Sequence, residues 1–201
     1  MRRFLVGMFV VLTSGLWLSP SIALAQQKFV IKPLVERKVS ELPAGPLVWR
    51  LENFGTLSQA QAAAGPWSLA AELGGKAWLF TLGPAGGSSP GGARVAEVGP
   101  ISRVVATQYL LRINEASGPP GSITPAHTHP GSEAFYVLAG ETSSHTADGV
   151  MRVAAGHAEA GHVADTPMRV SSSGTTNLHS LVMFVVDANR PFSSPAELPS
   201  R

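Results

Sequence analysis

The sequence predicts an all-β protein in which short strands form a barrel or sandwich, together with one short helix. Its 201 residues include 21 glycines and 16 prolines, and only 14% of the residues are charged. This mixture favours short strands and turns over long helices. From residue 104 onwards, apolar segments alternate with turn sequences such as Asp148-Gly149 and Ser173-Gly174, a spacing typical of barrels and sandwiches.

The first 25 residues have the pattern of a secretory signal peptide. Arg2 and Arg3 form a short positive region, an apolar run follows, and Ala23-Leu24-Ala25 fits the small-x-small cleavage rule. We therefore expect a bacterial periplasmic or secreted protein with no stable membrane anchor after cleavage. The paired arginines leave a twin-arginine route open beside the general secretory route, which we favour.

Charge and cysteine content exclude several classes of function. Arg2 and Arg3 account for the whole net charge of +2, so the chain without its leader is neutral. This balance does not support a basic stripe for nucleic-acid binding. The absence of cysteine excludes disulfides and thiolate metal sites.

The region before residue 104 is predicted to add strands and a helix to the main domain. Residues 26–45 are polar and mixed, and we expect an N-terminal arm with a short edge strand at Phe29-Val30-Ile31. A strand at 47–52 precedes the helix, for which Thr56 or Ser58 is the candidate N-cap. The domain itself is predicted to span 46–186.

The barrel core and the C-terminal segment after it are predicted to differ in how well they are ordered. Its barrel core is expected at 104–186, with the earlier strands packed on the barrel or extending it. Residues 187–201 are rich in proline and serine, which predicts a loose C-terminal tail.

The segment from Gly121 to Gly140 carries the chemistry, in the pattern G-x5-H-x-H-x3-E-x6-G. His127 and His129 are two residues apart and therefore project to the same side of a β-strand. A tight turn is predicted at residues 130–132, and Glu133 then opens the next strand, which returns its carboxylate to the two imidazoles. Two neutral nitrogens and one carboxylate form a facial ligand set for a divalent transition metal.

This segment resembles the first motif of the cupin family at every defining position. The resemblance implies a cupin-like double-stranded β-helix, or jelly-roll, barrel whose central pocket holds Fe, Mn, Zn or Cu on His127, His129 and Glu133. Similar cupins include dioxygenases, decarboxylases and isomerases. The implied function is a metal-dependent enzyme of the cell envelope that acts on a small molecule, and the alternative is a non-catalytic small-ligand or metal-binding cupin.

Barrels of this kind often pair into homodimers. The arm over residues 26–52 is expected to serve such an interface by adding a strand across it.

The family's later motif, which supplies a third histidine, fits this sequence poorly. Placing Gly174 on the following turn puts Met168 at the histidine position and Ser172 at an asparagine position. Three fates follow for the fourth ligand position. It is open to water or substrate, it is approached by the Met168 sulfur, which would favour copper, or it is filled by a nearby histidine: His157, His162 or His179.

No catalytic acid or base is identified by the sequence. Glu159 and Asp165 are the candidates nearest to the expected mouth of the pocket.

Overall fold

The computed structural model describes residues 28–198, and these residues confirm the all-β class with one short helix. The predicted leader, residues 1–25, lies outside the described residues. The elements in chain order are β1 (Val30–Val39), β2 (Leu47–Phe54), α1 (Leu57–Ala62), β3 (Ser68–Leu73), β4 (Lys76–Gly83), β5 (Ala93–Ile101), β6 (Tyr109–Gly118), β7 (His127–Thr128), β8 (Gly131–Ala139), β9 (Glu141–Thr146), β10 (Gly149–Ala154), β11 (Ala158–Ala160), β12 (Arg169–Ser172), β13 (Leu178–Asp187) and β14 (Ser194–Pro195).

The centre of the molecule is a five-stranded antiparallel sheet in the order β1-β6-β13-β8-β11. Strand β13 lies in the sheet between β6 and β8. Its side chains alternate between the two faces of the sheet, and on both faces they are buried. Leu181, Met183 and Val185 point to one face, and Val182 and Phe184 point to the other. An unbroken apolar strand is expected where both faces of a sheet are covered.

One face of this central sheet is covered by the extra strands that precede residue 104. Strands β3-β4-β2-β5 form a four-stranded antiparallel sheet. Its inward side chains, among them Trp49 and Phe80, pack with Leu111 and Met183 of the central sheet in one apolar core. The region 47–101 is therefore a layer stacked on the central sheet, as expected for strands added to the main barrel.

The helix begins where the sequence placed it. The Thr56 side chain accepts a hydrogen bond from the Gln59 backbone N–H at 3.2 Å, and the Gln59 side chain accepts one from the Thr56 backbone N–H at 3.0 Å. This reciprocal capping box satisfies two backbone donors at the first turn. Of the two candidate N-caps, Thr56 is the one used.

The other face of the central sheet encloses a cavity. The three-stranded sheet β10-β9-β12 and the two-stranded sheet β14-β7 close over it. The wall is made by Asn114 from β6, Glu133 from β8, Phe184 from β13, Thr142 from β9 and Val170 from β12. This face forms the interior of the barrel.

Both ends of the described chain are more ordered than the sequence suggested. The edge strand expected at residues 29–31 is a ten-residue strand, β1, that pairs with β6 and forms one edge of the central sheet. The segment after β13, expected to be a loose tail, contains β14, which pairs with β7 beside His127. Both segments are ordered because their backbone N–H and C=O groups pair with those of a neighbouring strand. Strand β1 pairs with β6, and β14 pairs with β7.

No helix within residues 28–198 is long and apolar enough to cross a membrane.

Candidate functional site

The barrel cavity has a volume of about 530 Å³ and brings His127, His129 and Glu133 into one wall. Ile31 and Ile123 also line it and are each 48% exposed, so they lie at its mouth. A cavity of this size suits a small organic ligand. The three side chains that the sequence singled out therefore share one enclosed space.

His127 and His129 are held by a short but well-paired segment. Strand β7 pairs with β14, and His127 also exchanges two backbone hydrogen bonds of 2.9 Å with Met168. The carbonyl of His129 accepts a bond of 2.8 Å from the backbone N–H of Asp165. The predicted tight turn at 130–132 is absent, because Gly131 already belongs to β8.

Backbone carbonyls fix the tautomer of both imidazoles. Nδ1 of His127 lies 2.9 Å from the Pro125 carbonyl oxygen, and Nδ1 of His129 lies 2.6 Å from that of Phe192. A carbonyl oxygen only accepts, so each Nδ1 carries a proton, and in the neutral ring Nε2 is the nitrogen that keeps a lone pair. This is the arrangement by which proteins orient histidines that bind a metal through Nε2.

The His129 ring lies in an aromatic enclosure. Its centroid is 4.8 Å from each of the Phe184 and Phe192 rings. Burial lowers the pKa of His129 to about 4, which outweighs the opposing hydrogen bond to Phe192, and the charges of His127 and Arg112 lower it further. The imidazole is therefore neutral at physiological pH, the form required of a metal ligand.

Glu133 is a buried acid without a partner for one of its oxygens. It lies on β8 with an exposure of 3%, and Oε1 forms no hydrogen bond among the described residues. Burial raises the pKa of this carboxyl to about 8. Burial of an unpaired carboxylate is energetically unfavourable and favours the protonated form. A bound cation is one of the few groups that would favour the carboxylate instead.

The donor set fits a divalent transition metal in its chemistry. The two imidazole centroids are 5.0 Å apart, a separation compatible with two rings on one ion at about 2.1 Å from each nitrogen. Within residues 28–198, however, no group of three or more histidine or acidic side chains is gathered closely enough to hold a metal ion. The Glu133 carboxylate and the two imidazoles would have to move closer together on binding.

The three further histidines weighed for the fourth ligand position have other partners, and none of them lines the cavity. Nε2 of His162 is 2.6 Å from the Ser144 hydroxyl, and burial lowers the pKa of this imidazole. Nε2 of His179 is 2.9 Å from Glu115 Oε1, and Nδ1 of His157 is 3.1 Å from the Ala155 carbonyl.

Met168 lies directly across from His127 in the backbone pairing, at the register where the family's third histidine was expected. Its side chain is 1% exposed and does not line the cavity. The fourth position thus faces no further described His, Asp or Glu side chain, which favours the first of the three fates, an open position. Met168 itself fills the interior beside the site.

The acid or base candidates are not part of the cavity. Neither Glu159 nor Asp165 lines it. Asp165 instead forms two hydrogen bonds with the Arg190 guanidinium, at 2.6 and 2.9 Å, which hold the pKa of its carboxyl below the usual range.

Two residues of the site were not found from the sequence. Phe192 packs on His129 and accepts its hydrogen bond, and Asn114 lines the cavity from β6. A single aromatic residue in a Pro- and Ser-rich segment was the one sequence signal for Phe192. Asn114 gave a weaker signal, as a polar residue within an apolar strand.

The two glycines that bound the motif have a conformational role. Gly121 has φ +80° and Gly140 has φ +73°, in the left-handed region that side chains disfavour. At Gly140 a Cβ atom would also lie 2.7 Å from the Asn177 carbonyl oxygen. Gly140 therefore ends β8, the strand that carries Glu133, in a way that other residues cannot.

The family model described as the cupin domain matches residues 116–160, which include the whole segment from Gly121 to Gly140 but not Met168. Solved structures resemble the chain more weakly. The DMSP lyase DddQ from Ruegeria pomeroyi is 20% identical with a TM-score of 0.38, covering 45% of each chain. A double-stranded β-helix protein from Klebsiella pneumoniae is 24% identical with a TM-score of 0.37, covering 43% of this chain and 75% of the other.

A cupin superfamily protein from Desulfitobacterium hafniense is 16% identical with a TM-score of 0.35, covering 38% of this chain and 68% of that one. The chain spans less than half the length of the lyase. No curated protein matches it by sequence.

Proposed function

We propose that this protein, a member of the cupin superfamily, is a metal-dependent enzyme that acts on a small molecule in the barrel cavity. The observation that carries the proposal is the composition of the cavity wall. Among the residues described, His127, His129 and Glu133 are the only titratable side chains that line it. Any chemistry in the cavity therefore depends on these three groups or on an ion that they hold.

In this proposal the three side chains act as ligands rather than as separate acids and bases. The Nδ1–H of each histidine donates to a backbone carbonyl, so each ring is oriented and offers Nε2. The unpartnered Glu133 Oε1 supplies the anionic ligand. A bound metal would act as a Lewis acid that polarises an oxygen of the substrate.

The remaining wall would control access of water. Phe135, Phe184 and Phe192 surround the histidines and the acid with apolar surface. Such surroundings exclude water and strengthen electrostatic interactions within the site. The expected metals are Fe, Mn or Zn for a site of two imidazoles and one carboxylate, with copper as the alternative if the Met168 sulfur approaches.

The test of this proposal is turnover that follows metal content. Purified full-length protein would be stripped, reloaded with each metal and assayed in oxygen against a panel of small neutral compounds. We expect turnover in proportion to the bound metal, and its loss in His127→Ala. Full activity of His127→Ala on an identified substrate would contradict a metal mechanism at this site.

A non-catalytic binding function is the second candidate, because the described residues of the cavity wall include no acid or base besides the three candidate ligands. The same pocket would then hold a small ligand or a metal for sensing or sequestration. Tight binding of a compound that is recovered unchanged, with saturating metal and oxygen, would favour this function. Conversion of the bound compound would exclude it.

Export to the bacterial envelope and a homodimeric state are further parts of the proposal. The signal-like sequence of residues 1–25 supports the first. The position of β1 at the edge of the central sheet, with Val30 and Ile31 exposed by 40% and 48%, supports the second. Fractionation of the native host and the mass in solution test them, and a cytoplasmic or monomeric protein would contradict them.

A further inference from the structure

The cavity wall is mostly apolar. Four phenylalanines contribute to it: Phe29, Phe135, Phe184 and Phe192. Apart from His127, His129 and Glu133, no charged or titratable side chain lines it in the described part of the chain. The space is therefore apolar, with its titratable groups restricted to the candidate metal ligands.

Without a bound metal ion, an anionic ligand group would find no counter-ion among the described side chains of this wall. Burial of a charge without a partner is strongly unfavourable, and anionic groups are usually held by arginine or lysine. The guanidinium of Arg112, which contacts two residues of the wall, is already engaged. It lies 4.2 Å from the Phe192 ring centroid, donates to Asn114 and is 3.4 Å from Glu36.

The Asn114 side chain has a fixed orientation in the wall and a free donor. It is 2% exposed, and its Oδ1 accepts a hydrogen bond of 2.9 Å from Arg112 Nε. Because a guanidinium only donates, Oδ1 is the oxygen, and the NH₂ group is turned to the other side. Within residues 28–198 this NH₂ group donates to no other residue.

Two hydroxyls of the wall already form hydrogen bonds within the protein. Thr124 Oγ1 accepts a bond from the backbone N–H of Val170 at 3.0 Å, and Thr142 Oγ1 donates to the Ser171 carbonyl at 3.3 Å. The NH₂ group of Asn114 has no such partner among the described residues. An acceptor oxygen on a bound ligand would satisfy it.

We infer that the cavity takes a neutral, ring-bearing, mostly apolar molecule, whose carbonyl or hydroxyl oxygen is recognised by the NH₂ group of Asn114. The phenylalanines enclose the ring, and Asn114 selects for the oxygen. The inference rests on the proposed function only in placing this oxygen beside the candidate metal ligands. Ligand size, neutrality and the role of Asn114 follow from the cavity wall.

Four small probes test this selection on the full chain stripped of metal. Acetophenone carries the ring and one acceptor oxygen, ethylbenzene lacks the oxygen, acetone lacks the ring, and ring-sulfonated acetophenone adds a charge. None of the four chelates a metal. Dissociation constants from ligand-observed NMR should show acetophenone binding at least about tenfold tighter than acetone and than the sulfonate. Equal or tighter binding of either would overturn the neutral ring-bearing class.

Asn114→Leu tests the selecting residue. We expect about tenfold weaker binding of acetophenone and unchanged binding of ethylbenzene, which reports that the cavity is intact. Asn53→Leu, on β2 in the outer sheet, is the matched control and should leave both affinities unchanged. Undiminished acetophenone binding by Asn114→Leu would overturn the assignment of Asn114.

If Asn114→Leu fails to fold, a measurement on the unmodified protein tests the same assignment. The side-chain amide protons of Asn114 should shift on addition of acetophenone and not of ethylbenzene, and identical responses would overturn the assignment. Metal content of the protein before stripping separates this inference from the proposed function. Protein isolated with metal that gives the wrong probe ranking contradicts the inference alone, and protein isolated without metal that gives the right ranking contradicts the function alone.

Discussion

Nδ1 of His129 lies 2.6 Å from the backbone carbonyl oxygen of Phe192, a residue 63 positions further along the chain. The same phenylalanine packs its ring 4.8 Å from the imidazole. The C-terminal segment thus orients one of the candidate ligands. The site is therefore built from two parts of the chain, the motif and the segment that follows the last long strand.

Removing this segment should weaken metal binding. A chain ending at Asn189 loses Phe192 and β14, so Nδ1–H of His129 has no fixed acceptor. Loss of such an orienting partner lowers metal affinity by about 10- to 100-fold, measurable by competition with a chromogenic chelator. A chain ending at Ala196, which keeps both features, is the control. Equal affinity of the two truncated chains would contradict the orienting role.

Met168→Leu separates a core residue from a sulfur ligand. Leucine has a similar volume, so the substitution should lower the free energy of unfolding by less than about 1.5 kcal/mol. Because Met168 does not line the cavity, we expect unchanged affinities for Zn²⁺ and for copper. A selective loss of copper affinity would instead assign the thioether as the fourth ligand.

Gly140→Ala should destabilise the strand that carries Glu133. The substitution adds a Cβ atom at φ +73° and 2.7 Å from a carbonyl oxygen, which should cost at least about 1–3 kcal/mol of unfolding free energy. Gly83→Ala is the control, since a Cβ atom there meets nothing within 4 Å. Chemical denaturation measures both, and similar losses in the two variants would contradict a special requirement at Gly140.

Glu52 should make the protein sensitive to acid. This carboxylate is fully buried in the outer sheet, where Ser89 donates to it through N–H at 2.9 Å and through its hydroxyl at 2.7 Å, and Arg50 through Nε at 3.1 Å. Burial alone would raise the pKa of Glu52, but these bonds outweigh it and leave the pKa lowered.

A lowered folded-state pKa contributes stability above the unfolded value of 4.5, and this stability is lost as the pH falls through the folded-state pKa. Glu52→Gln should therefore flatten the acid side of the stability curve and cost about 3 kcal/mol near neutral pH. The exposed Glu72→Gln is the control. An acid limb of unchanged slope in Glu52→Gln would contradict this assignment.

The sequence was most informative where local rules decide the structure. The spacing of His127, His129 and Glu133 was sufficient to place all three in one cavity, and Thr56 was one of the two helix caps proposed from the sequence. The contacts it could not predict are long-range. Phe192 reaches His129 through the pairing of β14 with β7, a register between distant segments that polar composition does not encode.

Asn114 shows a second limit of the sequence. Its importance depends on Arg112, two residues away on the same strand, turning the amide so that its donor group is free. Residues two apart on a strand share a face, but nothing in the spacing fixes the orientation of an amide. Met168 differs from Asn114. Comparison with the family motif put Met168 at the position of the third histidine, but the sequence could not predict the direction of its side chain.

Metal content is the most direct measurement of the central claim that His127, His129 and Glu133 form a metal site. Protein recovered from its own host compartment would be analysed by elemental mass spectrometry, beside His129→Ala, Glu133→Gln and the exposed control His157→Ala. We predict one transition-metal ion per chain in the unmodified protein and in the control, and its loss in the other two. Full metal content in both His129→Ala and Glu133→Gln, with each variant folded by circular dichroism, would contradict the site.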